Sequence, residues 1–248
     1  MKMSLSAKSI LALILLLTAC TARKSEIAVI SGKIGHAFGE KLMLQELDTR
    51  EIHNLDSTTL GADGQFSFQL APREPGFYLL KAKEGKVLAI LLDKGDTVTL
   101  GGDFTGFPDH IRFQGKPEAQ ILHDFFTFTR KNEKEVDSLE LMLSDQQDSS
   151  GYYKLTLSLD TAFQKIWYKQ KTFEEDFLTA HPNSLASLIV LNYSFGMSPV
   201  LSPEEDFRFY LELDSTLSKA YPGNKHVVYH HQRVLEYQRQ KELKRIEK

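Results

Sequence analysis

From Glu26 to about Gly115 the chain alternates apolar and polar residues in short runs, with β-branched and aromatic side chains on the apolar beat. Alternation with period two predicts half-buried strands. The runs are Ile27–Ile34, Leu42–Leu44, Ile52–Thr59, Gln65–Leu70, Gly76–Leu80, Val87–Leu92, Thr97–Leu100 and Ile111–Phe113. Turn signals separate them: Asp63-Gly64 is a hairpin cue, Glu84-Gly85 divides two apolar runs, and Lys94-Gly95-Asp96 precedes the next. About eight strands at this spacing predict an antiparallel β-sandwich or partial barrel.

The period changes at Gly115-Lys116-Pro117-Glu118, where glycine ends a strand and proline suits the first turn of a helix. Ile121, Leu122, Phe125, Phe126 and Phe128 open an apolar face that Val136, Leu139 and Leu143 continue, until Asp148-Ser149-Ser150-Gly151 ends it. Leu155, Leu159, Phe163, Ile166, Trp167, Phe173 and Phe177 form the stripe of a second helix, broken at His181-Pro182-Asn183-Ser184. A short helix follows over Leu185–Asn192. Ser202-Pro203-Glu204-Glu205 predicts the start of another, with serine as N-cap and glutamate closing a capping box, running to Tyr221-Pro222-Gly223. The last helix begins near Lys225 and loses its apolar stripe after Leu235. The predicted fold class is α+β: an N-terminal antiparallel β-sandwich or partial barrel over 26–115, then an all-helical domain over 116–248.

The amino terminus follows neither pattern. Lys2 and Lys8 flank an apolar run from Ile10 to Leu17, which stops at Arg23-Lys24 at about half the roughly 20 residues a spanning helix needs. This is a secretory signal pattern, expected over 1–19. It ends in Leu17-Thr18-Ala19-Cys20, which resembles the lipobox of bacterial lipoproteins. That resemblance implies lipid on the Cys20 sulfur and cleavage before it, with 20–25 as a lipidated linker. Each buried acyl methylene contributes ~0.8 kcal/mol, so several chains hold nearly permanently. The competing reading is a free cysteine in a signal segment that is removed or retained.

Cys20 is the only cysteine, and the formal charge is −3. No basic excess points to nucleic acid. The mature chain would be an ordinary, mildly acidic body with no thiol to spare.

Several β-half stretches together carry a second resemblance: Leu55-Asp56-Ser57-Thr58-Thr59 leading to Asp63-Gly64-Gln65-Phe66-Ser67-Phe68, Pro75-Gly76-Phe77-Tyr78, Leu92-Asp93-Lys94-Gly95-Asp96, and Phe113-Gln114-Gly115. They are similar to the uncharacterised β-rich domain of Bacteroidetes-type lipoproteins, over residues 26 to about 222. In that family the domain usually precedes a thioredoxin-like, TlpA-type disulfide reductase domain. Such a reductase needs a Cys-x-x-Cys pair, whose first thiolate attacks a disulfide and whose second cysteine resolves it. A chain with one cysteine has no such pair, and the chain stops at Lys248, where the reductase domain is expected to begin. The redox role is therefore not carried over.

Other candidate chemistry is thinner. His226 and His230, with His231 beside them, have the i, i+4 spacing that can grip zinc from one helical face, without a zincin glutamate between them or an obvious third ligand; solvated or core-edge histidines are the plainer expectation. Two acidic triplets, Glu174-Glu175-Asp176 and Glu204-Glu205-Asp206, could pair carboxylates for glycoside hydrolysis, but helix-start chemistry and a polar helix face explain them. Asp56-Ser57-Thr58 near His53 has the residue types of a hydrolase triad without a Gly-x-Ser-x-Gly elbow. From Arg233 to Lys248, six basic and three acidic residues interleave with Leu235, Tyr237, Leu243 and Ile246, as for an anionic surface or partner, or a solvated helix end.

The expectation is a lipid-anchored bacterial envelope protein, by default on the outer membrane facing the periplasm, that binds an envelope protein or glycan partner without catalysis and without a cofactor. The alternatives are an accessory subunit to an envelope thioredoxin-like oxidoreductase and a divergent hydrolase with carboxylates meeting at the domain interface.

Overall fold

A computed structural model describes residues 26–83, 86–144 and 151–246. Strands β1 (Ala28–Gly35), β2 (Lys41–Leu47), β3 (Ile52–Thr59), β4 (Gln65–Leu70), β5 (Gly76–Lys81), β6 (Val87–Leu92), β7 (Thr97–Asp103) and β8 (Arg112–Gln114) come first. Helices α1 (Pro117–Ser144), α2 (Tyr152–Ala180), α3 (Ala186–Leu191), α4 (Phe207–Ala220) and α5 (Lys225–Ile246) follow. The α+β class is as the alternation predicts. One feature of the second half is not helical: a small hairpin of β9 (Ser194–Phe195) and β10 (Ser198–Pro199), turned at Gly196 with φ of 56°.

The strands form two four-stranded sheets, in the orders β4-β1-β7-β8 and β3-β2-β5-β6. All pairings are antiparallel except β1 with β7, which run parallel. Gly32 of β1 stands where a Cβ would overlap the Leu100 carbonyl oxygen of β7, so this approach requires glycine. Ile30, Ile34, Leu42, Leu44, Phe68, Tyr78, Leu80, Leu88, Ile90, Val98 and Leu100 meet between the sheets as the first core.

The Asp63-Gly64 signal marks a turn but not a hairpin. β3 pairs with β2, whereas β4 pairs with β1 in the opposite sheet. Buried Leu60 is drawn into the core at the start of this connection, and Ile34 N–H donates to the Gly64 carbonyl at 2.9 Å, so the chain crosses the sandwich instead of folding back. Gly64 has φ of 66°, and a Cβ there would strike the Ile34 backbone.

β5 and β6 are covered on both faces, which is why their sequences are nearly unbroken apolar runs rather than alternating ones. Tyr78, Leu80, Leu88, Ile90 and Leu92 face the other sheet, while Phe77 and Leu91 belong to a second core with Leu122, Phe125, Phe177, Leu188, Leu213, Val227 and Val234. The helices thus lie on the outer face of the β3-β2-β5-β6 sheet. α1 packs along β6 at that sheet's edge and also meets β8. Among the described residues, the helices make their main strand contacts with β6 and β8, away from the opposite side between edge strands β3 and β4.

Within the helices a polar seam joins α1 to α2. Asn132 donates to Gln170 Oε1 at 2.7 Å, and Gln170 Nε2 donates to Thr129 at 3.0 Å and to Glu174 at 2.9 Å, all four residues being fully buried. The predicted capping box at Ser202 is displaced. Ser202 Oγ does accept from Glu205 N–H at 3.3 Å, but this closes an isolated turn and α4 starts only at Phe207.

Candidate functional site

The open side of the sandwich widens into a cleft of about 650 Å³ at the end of the sheets where β2 and β4 finish and β5 begins. Its floor is Leu44, Leu70 and Tyr78; one wall is His53, Leu55 and Asp56 of β3; the other is Gln69 of β4 and the Ala71–Glu74 loop. Lys225, the first residue of α5, closes the back. The β2 register explains its polarity. Leu42 and Leu44 point into the core, and the same face continues into Glu46 and Asp48 where the opposite sheet ends.

Lys225 Nζ lies 2.6 Å from Glu46 Oε1 and 3.2 Å from Asp48 Oδ2, so one ammonium serves two carboxylates. Partial burial works against the lysine's charge, but these two hydrogen bonds outweigh it and raise its pKa. The Asp48 carboxyl is held below its usual range, first by the Thr49 N–H at 2.6 Å and also by Lys225 against burial. His53 Nε2 reaches Glu51 at 3.3 Å and Asp48 at 3.7 Å. Burial, with the charges of Glu46, Glu74 and Asp93, pushes the Tyr78 hydroxyl up to about 12. Asn224 fastens the back wall: its Oδ1 accepts from His226 N–H at 3.0 Å, capping α5, while its Nδ2 donates to the Pro75 carbonyl at 2.7 Å. The result is a groove with four carboxylates, Glu46, Asp48, Asp56 and Glu74, against the cations Lys225 and Arg73.

Residues 28–122 match the family model described as Domain of unknown function (DUF4369). The match covers all eight strands of the sandwich and the first residues of α1. The floor and both walls of the cleft therefore lie within the matched residues, whereas Asn224 and Lys225 lie outside them. No curated protein matches the chain.

The lipobox residues Leu17, Thr18, Ala19 and Cys20, with the signal segment and linker around them, lie outside the described residues. Among the described residues no helix is long and apolar enough to cross a membrane. His226 and His230 are on the buried stripe of α5. His226 packs edge-on to Phe77 at 4.9 Å, and burial lowers its pKa to about 4. His230 Nε2 lies 3.1 Å from the Tyr210 carbonyl, which only accepts, so that nitrogen carries a proton and is not free for a metal. His231 pairs with Asp214 at the surface. No group of three or more His, Cys, Asp or Glu among the described residues is arranged to hold a metal ion.

The acidic triplets do approach each other, around Lys171. Its Nζ is 2.8 Å from Asp206 and 3.9 Å from Glu205, and its charge also acts on Glu174. Yet Glu174 is wholly buried, and Asp206 is engaged by the Ser202 N–H at 3.0 Å, so neither faces a cleft. Asp56, Ser57 and His53 form no relay: Asp56 accepts from the Ser57 backbone N–H at 2.7 Å, and His53 turns to Glu51. In the basic tail, Arg233 bonds Asn192 at 2.9 Å and the Tyr237 hydroxyl, and Lys241 lies over the Phe207 ring; Leu243 and Ile246 are exposed.

Glu46, Asp48, Glu74, Tyr78 and Lys225 line the cleft but are not among the site candidates that the sequence offers. A usable signal existed for the first two. Leu42-x-Leu44-x-Glu46-x-Asp48 keeps the period of the buried face while switching from apolar to acidic, which marks a strand whose inner face emerges into a cleft.

Proposed function

We propose that this protein is a lipid-anchored bacterial envelope protein that binds a partner, without catalysis, through the cleft between β3 and β4. The observation that carries the reading is the cleft itself: a concave, mixed apolar and charged surface between β3 and β4, with Lys225 at its back. Such a cleft is the default location for a ligand.

Its chemistry favours binding over hydrolysis. A carboxyl pair that works as acid and base needs one member raised toward neutrality. Here Asp48 is held low, and it shares one lysine with Glu46. The carboxyl that is raised, Glu174, is enclosed among the helices. A lipid on Cys20 would also give the cleft an address. β1 begins at Ala28, paired with Leu70 of the cleft floor, and the six residues that follow Cys20, up to Glu26, reach at most about 20 Å. The cleft end of the sandwich would then stay close to the lipid surface.

Leu55 is 44% exposed, so Leu55→Arg changes the cleft without disturbing the core. Affinity purification of the full-length protein from its native envelope should lose its bound partner in Leu55→Arg and keep it in the helix-surface variant Tyr168→Arg. Retention in both variants would refute the cleft as the binding site. Mass spectrometry of the amino-terminal peptide tests the anchor, with an unmodified Cys20 counting against it. A thioredoxin-like protein among the recovered partners would make the module an accessory to a redox enzyme.

A further inference from the structure

The open side of the sandwich also suggests what form the partner takes. β3 ends its sheet, and every residue from Ile52 to Thr59 is half-buried or exposed. Alternate residues of an edge strand direct their N–H and C=O groups outwards, as a template for another strand. The Leu60 N–H donates to the Glu40 carbonyl, so by alternation Thr58 and Asp56 face β2 and Ser57 faces outward, where its N–H is bonded to the Asp56 carboxylate at 2.7 Å. The other outer edges are differently placed. β6 lies under α1, β8 runs directly into α1, and β4 faces β3 across the cleft.

Three features shape the gap between β3 and β4. The short Leu60–Gly64 connection closes it at one end, while at the other it opens into the cleft. A bulge places Asp56 opposite Leu44 and Asn54 opposite Gln45, so that Leu55 has no partner on β2 and lines the cleft. A bulge twists an edge and discourages indiscriminate pairing, which leaves the edge to a strand that also fits the groove. Finally, the carboxylates Glu46, Asp48, Asp56 and Glu74 outnumber Lys225 and Arg73, so a cation entering the groove is favoured and an anion is repelled.

We infer that the partner presents an extended, basic polypeptide segment that adds as a strand to the free edge of β3, with a lysine or arginine side chain set among Glu46, Asp48 and Glu74. This rests on the binding reading above and names its ligand class. Main-chain hydrogen bonds to β3 supply affinity, and the alternate side chains that point into the cleft supply specificity.

The test uses the full chain and a capped six-residue peptide alternating lysine and valine. Its two twins carry glutamate in place of lysine, or N-methyl groups on the alternate amides of one edge. The lysine peptide should bind saturably, shifting the NMR signals of Ile52–Thr59 and Gln65–Leu70, and both twins should bind at least ten-fold more weakly. Ser57→Pro removes an outward N–H that the β2 ladder does not use, and should weaken binding about ten-fold with the melting temperature little changed. If the N-methylated peptide binds as well as its parent, or a neutral oligosaccharide shifts the same signals while no peptide does, strand addition is refuted. If Leu55→Arg nevertheless releases the native partner, the cleft reading survives that refutation; if it does not, the cleft reading has failed on its own account.

Discussion

Glu174 is a carboxyl group with no exposed surface, hydrogen-bonded to Gln170 and pushed up to about 9 by burial, an effect that the Asp206 charge reinforces and Gln170 and Lys171 oppose. The folded protein therefore holds this proton to about pH 9, while the unfolded chain releases it near 4.5. Across that window the folded state binds more protons, so stability falls as pH rises, by at most about 1.4 kcal/mol per pH unit. Glu174→Gln keeps the acceptor for Gln170 and removes the titration. Its melting temperature should exceed that of the wild type, by a margin that widens from pH 5 to pH 8. His226 has the opposite sign. Burial, aided by Lys225, lowers it to about 4, so between 6.5 and 4 the unfolded chain takes up a proton that the folded state refuses. Stability is lost as pH falls through that range, and His226→Leu should flatten the acid limb of a denaturation series. Glu174 reads from sequence as part of a polar helix face, and its burial depends on the helix packed against it. For His226 the plainer expectation, a solvated or core-edge histidine, includes the position it takes against Phe77.

At the scale of elements, strand positions were legible because each has a period and a turn signal. The pairing was not, since β3, Asp63-Gly64 and β4 have the local form of a hairpin whether or not the two strands share a sheet. What decides is Leu60, whose burial in the core is a tertiary fact. The capping signal at Ser202 misled in a similar way, producing one turn but not the start of α4. The cap that matters most to the cleft is Asn224. It both caps α5 and reaches the Pro75 carbonyl, so the helix start and the β4–β5 loop are held by one side chain. Asn224→Ala should cost about 1–2 kcal/mol in urea denaturation, whereas Asn224→Asp retains the capping oxygen and loses only the link to Pro75. The aspartate variant should therefore recover part of that loss. If both variants match the wild type, Asn224 does not fasten the wall.

For the whole molecule, the arrangement of layers was the least legible level and the one that creates the site. Unbroken apolar runs in β5 and β6 correctly mark strands, but their double-sided burial follows only from the helices on the outer face through Phe77 and Leu91. Among the described residues those helices pack chiefly on the outer face of the β3-β2-β5-β6 sheet and along β6 and β8, and the cleft lies on the β3 and β4 side. The amino-terminal end of the described chain stands at the same end as the cleft, with Glu26 near Lys94 and Ala28 opposite Leu70. The start of the described chain, the cleft and the first residue of α5 thus converge on one end of the molecule, which is the basis for the proposal that this end contacts a partner. Photo-crosslinking from single positions of the full-length protein in its native envelope tests this most directly. A crosslinker at Leu55 should capture one discrete adduct, competed by the lysine-bearing peptide, while one at Tyr168 on the helical surface captures none; an adduct from Tyr168 with none from Leu55 would contradict the account.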